Sequence, residues 1–331
     1  MTPVRIAFLG CGFITAVHSR HLRALGADAV RSYASRDSAR AAEYCRRFGG
    51  DRAYADYGAA MDDPSVDAVV VAVPPKLHLD LALRALDRGK HVLVEKPAFP
   101  SLDGYRAAIA ARDRASRVVL VGENDHYKPL AVELRRHLAR GAIGDMVFAH
   151  FVTIAKRLKR ADDWRNDESM AGGDAFFEEG IHWLHLANSL GPRITRIVGF
   201  RPPPSHGNGA AAEPDRRAKS LMAAFQYDNG AAGTLYYSRE IPSLLRGLRV
   251  SKIFGRTGII TFESNGMFVA VRGTGVPRLG HPGWRDIRGY RAMYRDFIRA
   301  IRTGAAPEMS LERAADDHRL MEQVYATIAA Q

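Results

Sequence analysis

The feature that most constrains the fold is an apolar run that passes through glycines into an amphipathic segment. The run Val4–Leu9 ends at Gly10-Cys11-Gly12, and residues 14–25 then carry apolar side chains at helical spacing. A short apolar run of this kind is typical of a strand buried on both faces. The chain therefore begins with a strand, a tight turn and a helix, the repeating unit of a parallel α/β sheet.

The same alternation continues to about residue 123, with Asp37 and Ser101 predicted as helix caps. After that point strand patterns dominate. We predict an N-terminal doubly wound parallel sheet (a Rossmann domain, residues 1–123) and an α+β domain with an open, mostly antiparallel sheet (124–331). One face of an open sheet needs covering, so the second domain predicts a homodimer or homotetramer. Strands are expected at 29–34, 67–73, 91–94, 118–121, 148–154, 194–200, 221–227, 231–237, 251–254 and 259–262, and helices at 37–48, 77–86, 101–115, 130–139, 176–190, 287–302 and 311–329.

Composition narrows the class of protein. The 331 residues are 47% hydrophobic and carry a formal net charge of +12, which favours an anionic ligand. The basic residues are spread along the chain without a nucleic-acid-binding signature, so we expect no nucleic-acid partner. No segment has the length or the leader pattern of a membrane span or signal peptide, and the two cysteines form no metal-site spacing. A cytoplasmic protein without a membrane partner is expected.

The glycine turn predicts a dinucleotide site. Glycines at positions 10 and 12 allow close approach of a pyrophosphate, and the following helix, with Phe13 and Ile14 in its first turn, offers free N–H groups. Thr15 replaces the usual third glycine, and its bulk is expected to loosen the helix–strand packing slightly.

The end of the second strand indicates which dinucleotide binds. An NAD site normally has an acidic residue here for the ribose hydroxyls, but this chain has Ser35 followed by Arg36. Loss of the carboxylate removes repulsion of a 2′-phosphate, and a guanidinium can pair with it, so we expect NADP in preference to NAD. The alternative is that Arg36 is a surface residue and that Asp37 only caps the next helix.

Taken together, several motifs resemble the glucose–fructose oxidoreductase / inositol 2-dehydrogenase (Gfo/Idh/MocA) family. They are Val73-Pro-Pro-Lys-Leu-His78, the run Gly89-Lys-His-Val-Leu-Val-Glu-Lys-Pro97, Gly141-Ala-Ile-Gly144, and Gly172-Gly173 followed by Gly180-Ile-His182. The resemblance covers nearly the whole chain.

The resemblance implies a nicotinamide held near Lys96 and a histidine, His182, from the second domain. Hydride transfer to or from an alcohol carbon requires a proton to be moved as well, and histidine side chains as a class titrate near neutrality. Lys96 would polarise the oxygen, and Glu178 would orient His182 from four residues before it. The expected cofactor-binding residues are Gly10, Gly12, Phe13, Ile14, Ser35, Arg36, Pro74, His78, Glu95 and Lys96.

The second domain departs from the family pattern at three positions. Glu178 stands where an aspartate is common, His185 where a second acid is usual, and Asp174 where the glycine stretch has its third glycine. Glu178, His182 and His185 also have helical spacings that suit iron or zinc, but no second motif completes a site, so no metal is expected.

Further candidates for substrate binding are Tyr127, Trp164 and Arg165, together with Lys96, His182 and His185. For Tyr127 and Trp164, ordinary packing is an equal alternative, and for His185 a polar role at the domain interface is favoured.

The sequence as a whole predicts an NAD(P)-dependent oxidoreductase acting on a hydroxyl or keto carbon of a sugar, cyclitol or related polyol. Two alternatives stay open: reduction of a C=N or C=C bond, and a non-catalytic sensor of the cofactor.

Overall fold

The computed structural model describes residues 2–156, 170, 173–202, 219–243 and 247–330. The chain forms two compact units. The first consists mainly of Met1–Lys128 and Arg288–Asp316, and the second mainly of Gly173–Ile287 and Asp317–Gln331 with the chain that follows Pro129. The expected division into domains at residues 123 and 124 stays a prediction.

The first unit is built on a six-stranded parallel sheet with the spatial order β3-β2-β1-β4-β5-β6. The chain moves outward from β1 in one direction and then returns to continue from β4, so the direction of winding reverses between these neighbours. Ligands of doubly wound sheets bind at this reversal, beyond the carboxyl ends of the strands. The strands are β1 (Val4–Leu9), β2 (Ala29–Ala34), β3 (Ala53–Tyr54), β4 (Ala68–Val71), β5 (His91–Glu95) and β6 (Val119–Gly122).

The helices of this unit confirm the predicted caps. The Asp37 side chain accepts from the backbone N–H of Arg40, and Ser101 accepts from that of Gly104. The short elements β3 and α3 were not predicted, since two and six residues are too few for a periodic pattern. The helices are α1 (Phe13–Arg23), α2 (Ser38–Phe48), α3 (Tyr57–Asp62), α4 (His78–Asp87) and α5 (Leu102–Ala115).

The second unit contains an eight-stranded sheet in the order β14-β13-β12-β11-β7-β10-β9-β8. All neighbouring strands are antiparallel except β7 and β10, which confirms the mostly antiparallel sheet. The strands are β7 (Met146–Ile154), β8 (Ile194–Phe200), β9 (Ser220–Tyr227), β10 (Ala232–Ser238), β11 (Val250–Gly255), β12 (Gly258–Glu263), β13 (Val269–Arg272) and β14 (Arg278–Gly280).

The two faces of this sheet differ. Along β7, Ala149, Phe151 and Thr153 are buried, whereas Phe148 on the opposite face is 57% exposed. Phe148 pairs across the strands with Phe254 of β11, which is also exposed. The open face expected from the sequence is therefore present within the described residues.

Four further helices lie within the described part of the chain, and one of them packs differently from the expectation. Both closing helices were expected in the second domain, but the first of them places Met293, Tyr294 and Phe297 in the hydrophobic core of the first unit. Its amphipathic pattern shows that one face is buried but not against which sheet. These helices are α6 (Pro129–Ala139), α7 (Ile181–Asn188), α8 (Tyr290–Thr303) and α9 (Leu311–Ala329).

Among the described residues, no helix combines the length and the apolar character that crossing a membrane requires.

Candidate active site

The residues predicted to bind the cofactor in the first unit lie at one edge of its sheet. Gly10, Ser35, Pro74 and Lys96 follow the carboxyl ends of β1, β2, β4 and β5, respectively. Because these strands are parallel neighbours, their carboxyl ends meet at the same edge. The fold thus brings together residues that are far apart in the sequence.

The glycine turn has the geometry of a phosphate-binding turn. Gly10 has a φ of +107°, and a Cβ there would lie 2.5 Å from the carbonyl oxygen of Ala72, so the turn requires glycine. A Cβ on Gly12 would meet no atom of the described residues within 4 Å, so they leave open space in front of α1. Among the described residues no side chain caps the first turn of this helix, so its N-terminal N–H groups can donate hydrogen bonds to an anion. The site therefore fits a dinucleotide pyrophosphate.

Thr15 does not loosen this turn as expected. Its side chain is fully buried, and its hydroxyl donates a hydrogen bond of 2.7 Å to the carbonyl oxygen of Gly10. The side chain therefore fastens the helix to the turn. Phe13 is 74% exposed beside it, and Ile14 is half-buried against the core.

After β2 the chain has Ser35 at the position where an NAD site normally has an acid, and a positively charged residue, Arg36, follows it. Ser35 is buried, and its hydroxyl accepts from the backbone N–H of Asp37. Arg36 lies beside Tyr57, where it partly offsets the rise that burial causes in the pKa of that phenol. The sequence did not indicate Arg40, whose Nε donates to the carbonyl oxygen of Cys11 at 2.7 Å, inside the glycine turn.

The Glu95 side chain makes hydrogen bonds at the turn that carries Lys96. The Lys96–Pro97 peptide bond is cis, and Lys96 itself is half-buried. Oε2 of Glu95 accepts from the backbone N–H of Lys96 at 3.1 Å. Oε1 of the same carboxylate lies 2.6 Å from Nε2 of His18, a contact that no sequence pattern predicts.

His78 is placed to support the lysine turn. Its side chain is buried, with Nε2 2.8 Å from the carbonyl oxygen of Val73 and Nδ1 3.0 Å from that of Ala98. Burial lowers the pKa of this imidazole, while the neighbouring carbonyl oxygens act in the opposite direction. The ring thus joins the segment after β4 to the segment after β5. Its expected contact with the cofactor stays a prediction.

Tyr127 lies in the core of the first unit. Its hydroxyl donates to Oδ2 of Asp296 at 2.7 Å and accepts from the backbone N–H of Met309 at 3.1 Å. Burial, reinforced by the negative charge of Asp296, raises the pKa of this phenol far above its usual value. This placement favours the packing alternative over substrate contact.

In the second unit, Glu178, His182 and His185 lie on one continuous helical segment. It opens with a π-helical turn over Phe176–Gly180 and continues as α7. Such wide turns inside helices are rare and concentrate at functional sites. Glu178 and His182 are both half-buried, whereas His185 is buried.

Two of the departures from the family pattern have structural partners. Oδ1 of Asp174 accepts from the backbone N–H groups of Phe176 and Phe177 at 2.9 and 3.0 Å, so this carboxylate caps the segment. Nδ1 of His185 lies 2.6 Å from Oδ2 of the buried Asp317. Trp164 and Arg165, predicted to bind substrate, lie outside the described residues.

Comparison with known proteins identifies the class of protein. A family model described as an oxidoreductase family with an NAD-binding Rossmann fold matches residues 4–123, and a GFO/IDH/MocA C-terminal domain model matches residues 131–261. The chain is therefore an NAD(P)-dependent oxidoreductase. It belongs to the Gfo/Idh/MocA family, as its motifs indicated.

Several curated relatives cover most of the chain. Levoglucosan dehydrogenase of Pseudarthrobacter phenanthrenivorans is 25% identical over 80% of this chain and 72% of its own length. The scyllo-inositol 2-dehydrogenase (NAD(+)) of Bacillus subtilis is 27% identical, over 72% of this chain and 68% of its own length. The D-xylose 1-dehydrogenase (NADP(+)) 2 of Haloferax volcanii is 27% identical, over 88% and 87%, respectively.

A solved structure of levoglucosan dehydrogenase in complex with NADH and levoglucosan has the same fold. It superposes with a TM-score of 0.86 at 21% identity, covering 99% of this chain and 98% of that chain.

Proposed function

We propose that the protein oxidises a hydroxyl carbon, or reduces the corresponding keto carbon, of a sugar, cyclitol or related polyol. The observation that carries the proposal is the position of Lys96, which follows β5 at the carboxyl edge of a sheet whose glycine turn fits a dinucleotide. The polyol class is supported by the relatives, which are named for levoglucosan, an inositol and xylose.

The residues of the chain have separate tasks in this proposal. When bound, the nicotinamide supplies hydride acceptance or donation. The Lys96 ammonium donates a hydrogen bond to the substrate oxygen and stabilises the negative charge that develops there. A ring nitrogen of His182 takes the hydroxyl proton during oxidation and returns it during reduction. Glu178 orients His182.

The test is turnover with a panel of sugars and cyclitols, followed by substitution. Lys96→Ala and His182→Ala are each expected to lower kcat about 100-fold or more, and the double variant is expected to lose less than the product of the two. Arg114→Met serves as the control, because it removes an exposed positive charge from α5 of the first unit. Undiminished rates in both single variants would contradict the role assignment.

The structure weakens the argument for the alternative function, reduction of a C=N or C=C bond. That alternative drew on the absence of the usual acid at position 185, but His185 is buried in a pair with Asp317. The departure at 185 is thus part of the packing of the second unit. A non-catalytic sensor is distinguished by the same assay, since it would bind the cofactor without turning over any member of the panel.

NADP is the proposed preferred cofactor. Two arginines support this choice: Arg36 follows Ser35 directly, and Arg40 lies against the glycine turn through its bond to Cys11. Guanidinium groups recognise phosphate by paired, charge-assisted hydrogen bonds. Among the relatives, the xylose dehydrogenase is named for NADP and the scyllo-inositol dehydrogenase for NAD, so the family includes both.

A second copy of the chain is the proposed partner on the open face of the second sheet. Phe148 and Phe254 are cross-strand neighbours there, and Tyr236 is also exposed on β10. Aromatic side chains exposed together on a sheet face are typical of protein interfaces. A homodimer or homotetramer formed through this sheet would cover them. A cytoplasmic location stays a prediction.

A further inference from the structure

Three hydrogen-bonded side chains, Tyr294, His18 and Glu95, lie buried next to the turn that carries Lys96. We call them the buried triad. Nδ1 of His18 is 2.6 Å from the hydroxyl oxygen of Tyr294, and Nε2 of the same ring is 2.6 Å from Oε1 of Glu95. His18 and Tyr294 are fully buried, and Glu95 is 6% exposed. Polar groups at this depth are costly unless each finds a partner, so the three residues stabilise one another's burial.

The two hydrogen bonds of the buried triad have one consistent direction. A carboxylate can only accept, so Nε2 of His18 carries the hydrogen and donates to Glu95. In this tautomer Nδ1 carries no hydrogen and accepts from the Tyr294 hydroxyl. Burial, reinforced by the nearby Glu95, raises the pKa of Tyr294 well above its usual value, so the phenol keeps the hydrogen that it donates. Both bonds lead towards the carboxylate that also accepts from the backbone of Lys96.

The surrounding residues hold the imidazole in this orientation. The ring of Tyr290 meets the ring of His18 edge-on with centroids 4.9 Å apart, and that of Phe8 meets it edge-on at 6.2 Å. At the Glu95 end of the buried triad, a Cβ at Gly122 would lie 3.1 Å from Oε1 of Glu95, so glycine leaves just enough room for the carboxylate. The geometry is therefore fixed by α1, α8 and β6 together.

We propose that His18 and Tyr294 are positioning residues for the oxidoreductase reaction, acting through Glu95 on the turn that presents Lys96. The inference rests on the proposed function, in which Lys96 contacts the substrate oxygen. His18 lies on α1, the helix whose first turn faces the dinucleotide site, so the same imidazole connects the cofactor helix to the lysine turn. Tyr294 fixes the tautomer of that imidazole from α8.

Three variants test the hydrogen bonds of the buried triad separately. Tyr294→Phe removes one hydroxyl and keeps the ring. His18→Leu removes both hydrogen bonds, whereas His18→Gln restores an N–H donor that can reach Glu95. Tyr54→Phe is the matched control, because it also removes a hydrogen-bonded phenol hydroxyl from the first unit, the one that donates to Oδ2 of Asp63 at 2.8 Å.

The first readout is steady-state kinetics on the substrate that turns over best. Small displacements of a catalytic group cost up to about 100-fold in rate, so we expect kcat to fall roughly 10-fold in Tyr294→Phe and about 100-fold in His18→Leu. His18→Gln should recover most of that loss, and Tyr54→Phe should match the unmodified protein. KM and the Kd of the cofactor should change by no more than about twofold, because neither His18 nor Tyr294 is among the residues proposed to bind the cofactor or the substrate.

The second readout does not depend on activity. Lys96 is labelled with an amine-acylating reagent in the cofactor-bound protein, and its labelling rate is followed by peptide mass spectrometry. The rate should change in Tyr294→Phe and His18→Leu and stay the same in Tyr54→Phe. Unchanged labelling in Tyr294→Phe would overturn the inference, and so would a kcat equal to that of the unmodified protein.

The two proposals can fail separately. Full turnover by Lys96→Ala would reject the catalytic role of the lysine, while the labelling experiment would still report whether His18 and Tyr294 set its environment. Tyr294→Phe removes a single oxygen atom, so the test is available even where His18→Leu does not fold.

Discussion

Nδ1 of His185 lies 2.6 Å from Oδ2 of Asp317, and both side chains are almost completely buried in the second unit. The other oxygen of Asp317 accepts from the side-chain amide of Asn188, whose own oxygen accepts from the backbone N–H of Ile194. Position 185, for which the family resemblance leads us to expect an acid, thus carries an imidazole here, opposite an acid supplied by α9. The departure at 185 is matched by its partner at 317.

This pairing predicts that a substitution at position 185 lowers the stability of the protein and that a second substitution at position 317 restores much of it. His185→Asp would place two carboxylates together in a buried site, so the free energy of unfolding should fall by about 3–5 kcal/mol. The double variant His185→Asp with Asp317→His restores opposite polarity and should regain more than half of that loss. Urea denaturation of the four proteins measures the coupling, and simple additivity of the two single effects would contradict the pairing.

The cap at Asp174 predicts linked effects on stability and turnover. Asp174→Gly removes the acceptor for two N–H groups and for the Tyr325 hydroxyl 2.5 Å away, so unfolding should become easier by about 1–2 kcal/mol. Because the capped segment carries Glu178 and His182, kcat should fall as well. Ser101→Ala is the control: it removes a comparable cap from α5 in the first unit and should lower stability without lowering kcat.

Ser35 and Arg36, which follow β2, predict how substitution changes the affinities for NADP and NAD. Ser35→Asp introduces the carboxylate that NAD sites use, and its repulsion of a 2′-phosphate should weaken NADP binding about 10- to 100-fold with little effect on NAD. Arg36→Ala should weaken NADP selectively through loss of a charged hydrogen bond. Fluorescence titration gives both dissociation constants. Tighter binding of NAD than of NADP by the unmodified protein would refute the preference.

His91 predicts a dependence of stability on pH. Burial, together with the positive charge of Arg117, lowers its pKa to about 4, against a weaker opposing effect of Asp67. Its Nδ1 accepts from the backbone N–H of Val118 at 2.9 Å, which requires the neutral ring.

Because the folded state therefore resists protonation, the contribution of His91 is intact above about pH 6.5 and is lost as the pH falls towards 4. His91→Gln should flatten the decrease in unfolding free energy between those values, as measured by urea denaturation at a series of pH values. An equal slope in both proteins would show that His91 does not contribute.

The open face of the second sheet predicts an oligomer that a single charge disrupts. Phe148→Glu places a carboxylate among exposed aromatic side chains and should shift the protein to smaller species in light scattering after size-exclusion chromatography. Val132→Glu is the control, because Val132 is similarly exposed but lies on α6. A monomeric unmodified protein would contradict the proposal.

Much of the first unit was predictable from the sequence because its signals are local. The observed strands β1 and β2 have the predicted bounds, and the caps Asp37 and Ser101 were predicted from residue type alone. The glycine turn was predicted for the same reason: only glycine tolerates the backbone of Gly10, and the constraint lies within a few residues. The motif around Lys96 identified the family and the edge of the sheet at which the lysine lies.

The partners of these residues were decided by the tertiary structure. Tyr294 follows His18 by 276 residues, and Asp317 follows His185 by 132, so no sequence pattern joins either pair. The amphipathic face of α8 shows that the helix is buried but leaves its packing partner undetermined. The sequence by itself therefore determined which chemical groups are present and at which strand ends they lie. Only the folded chain decided which buried groups hold them in place, because those contacts depend on packing between distant segments.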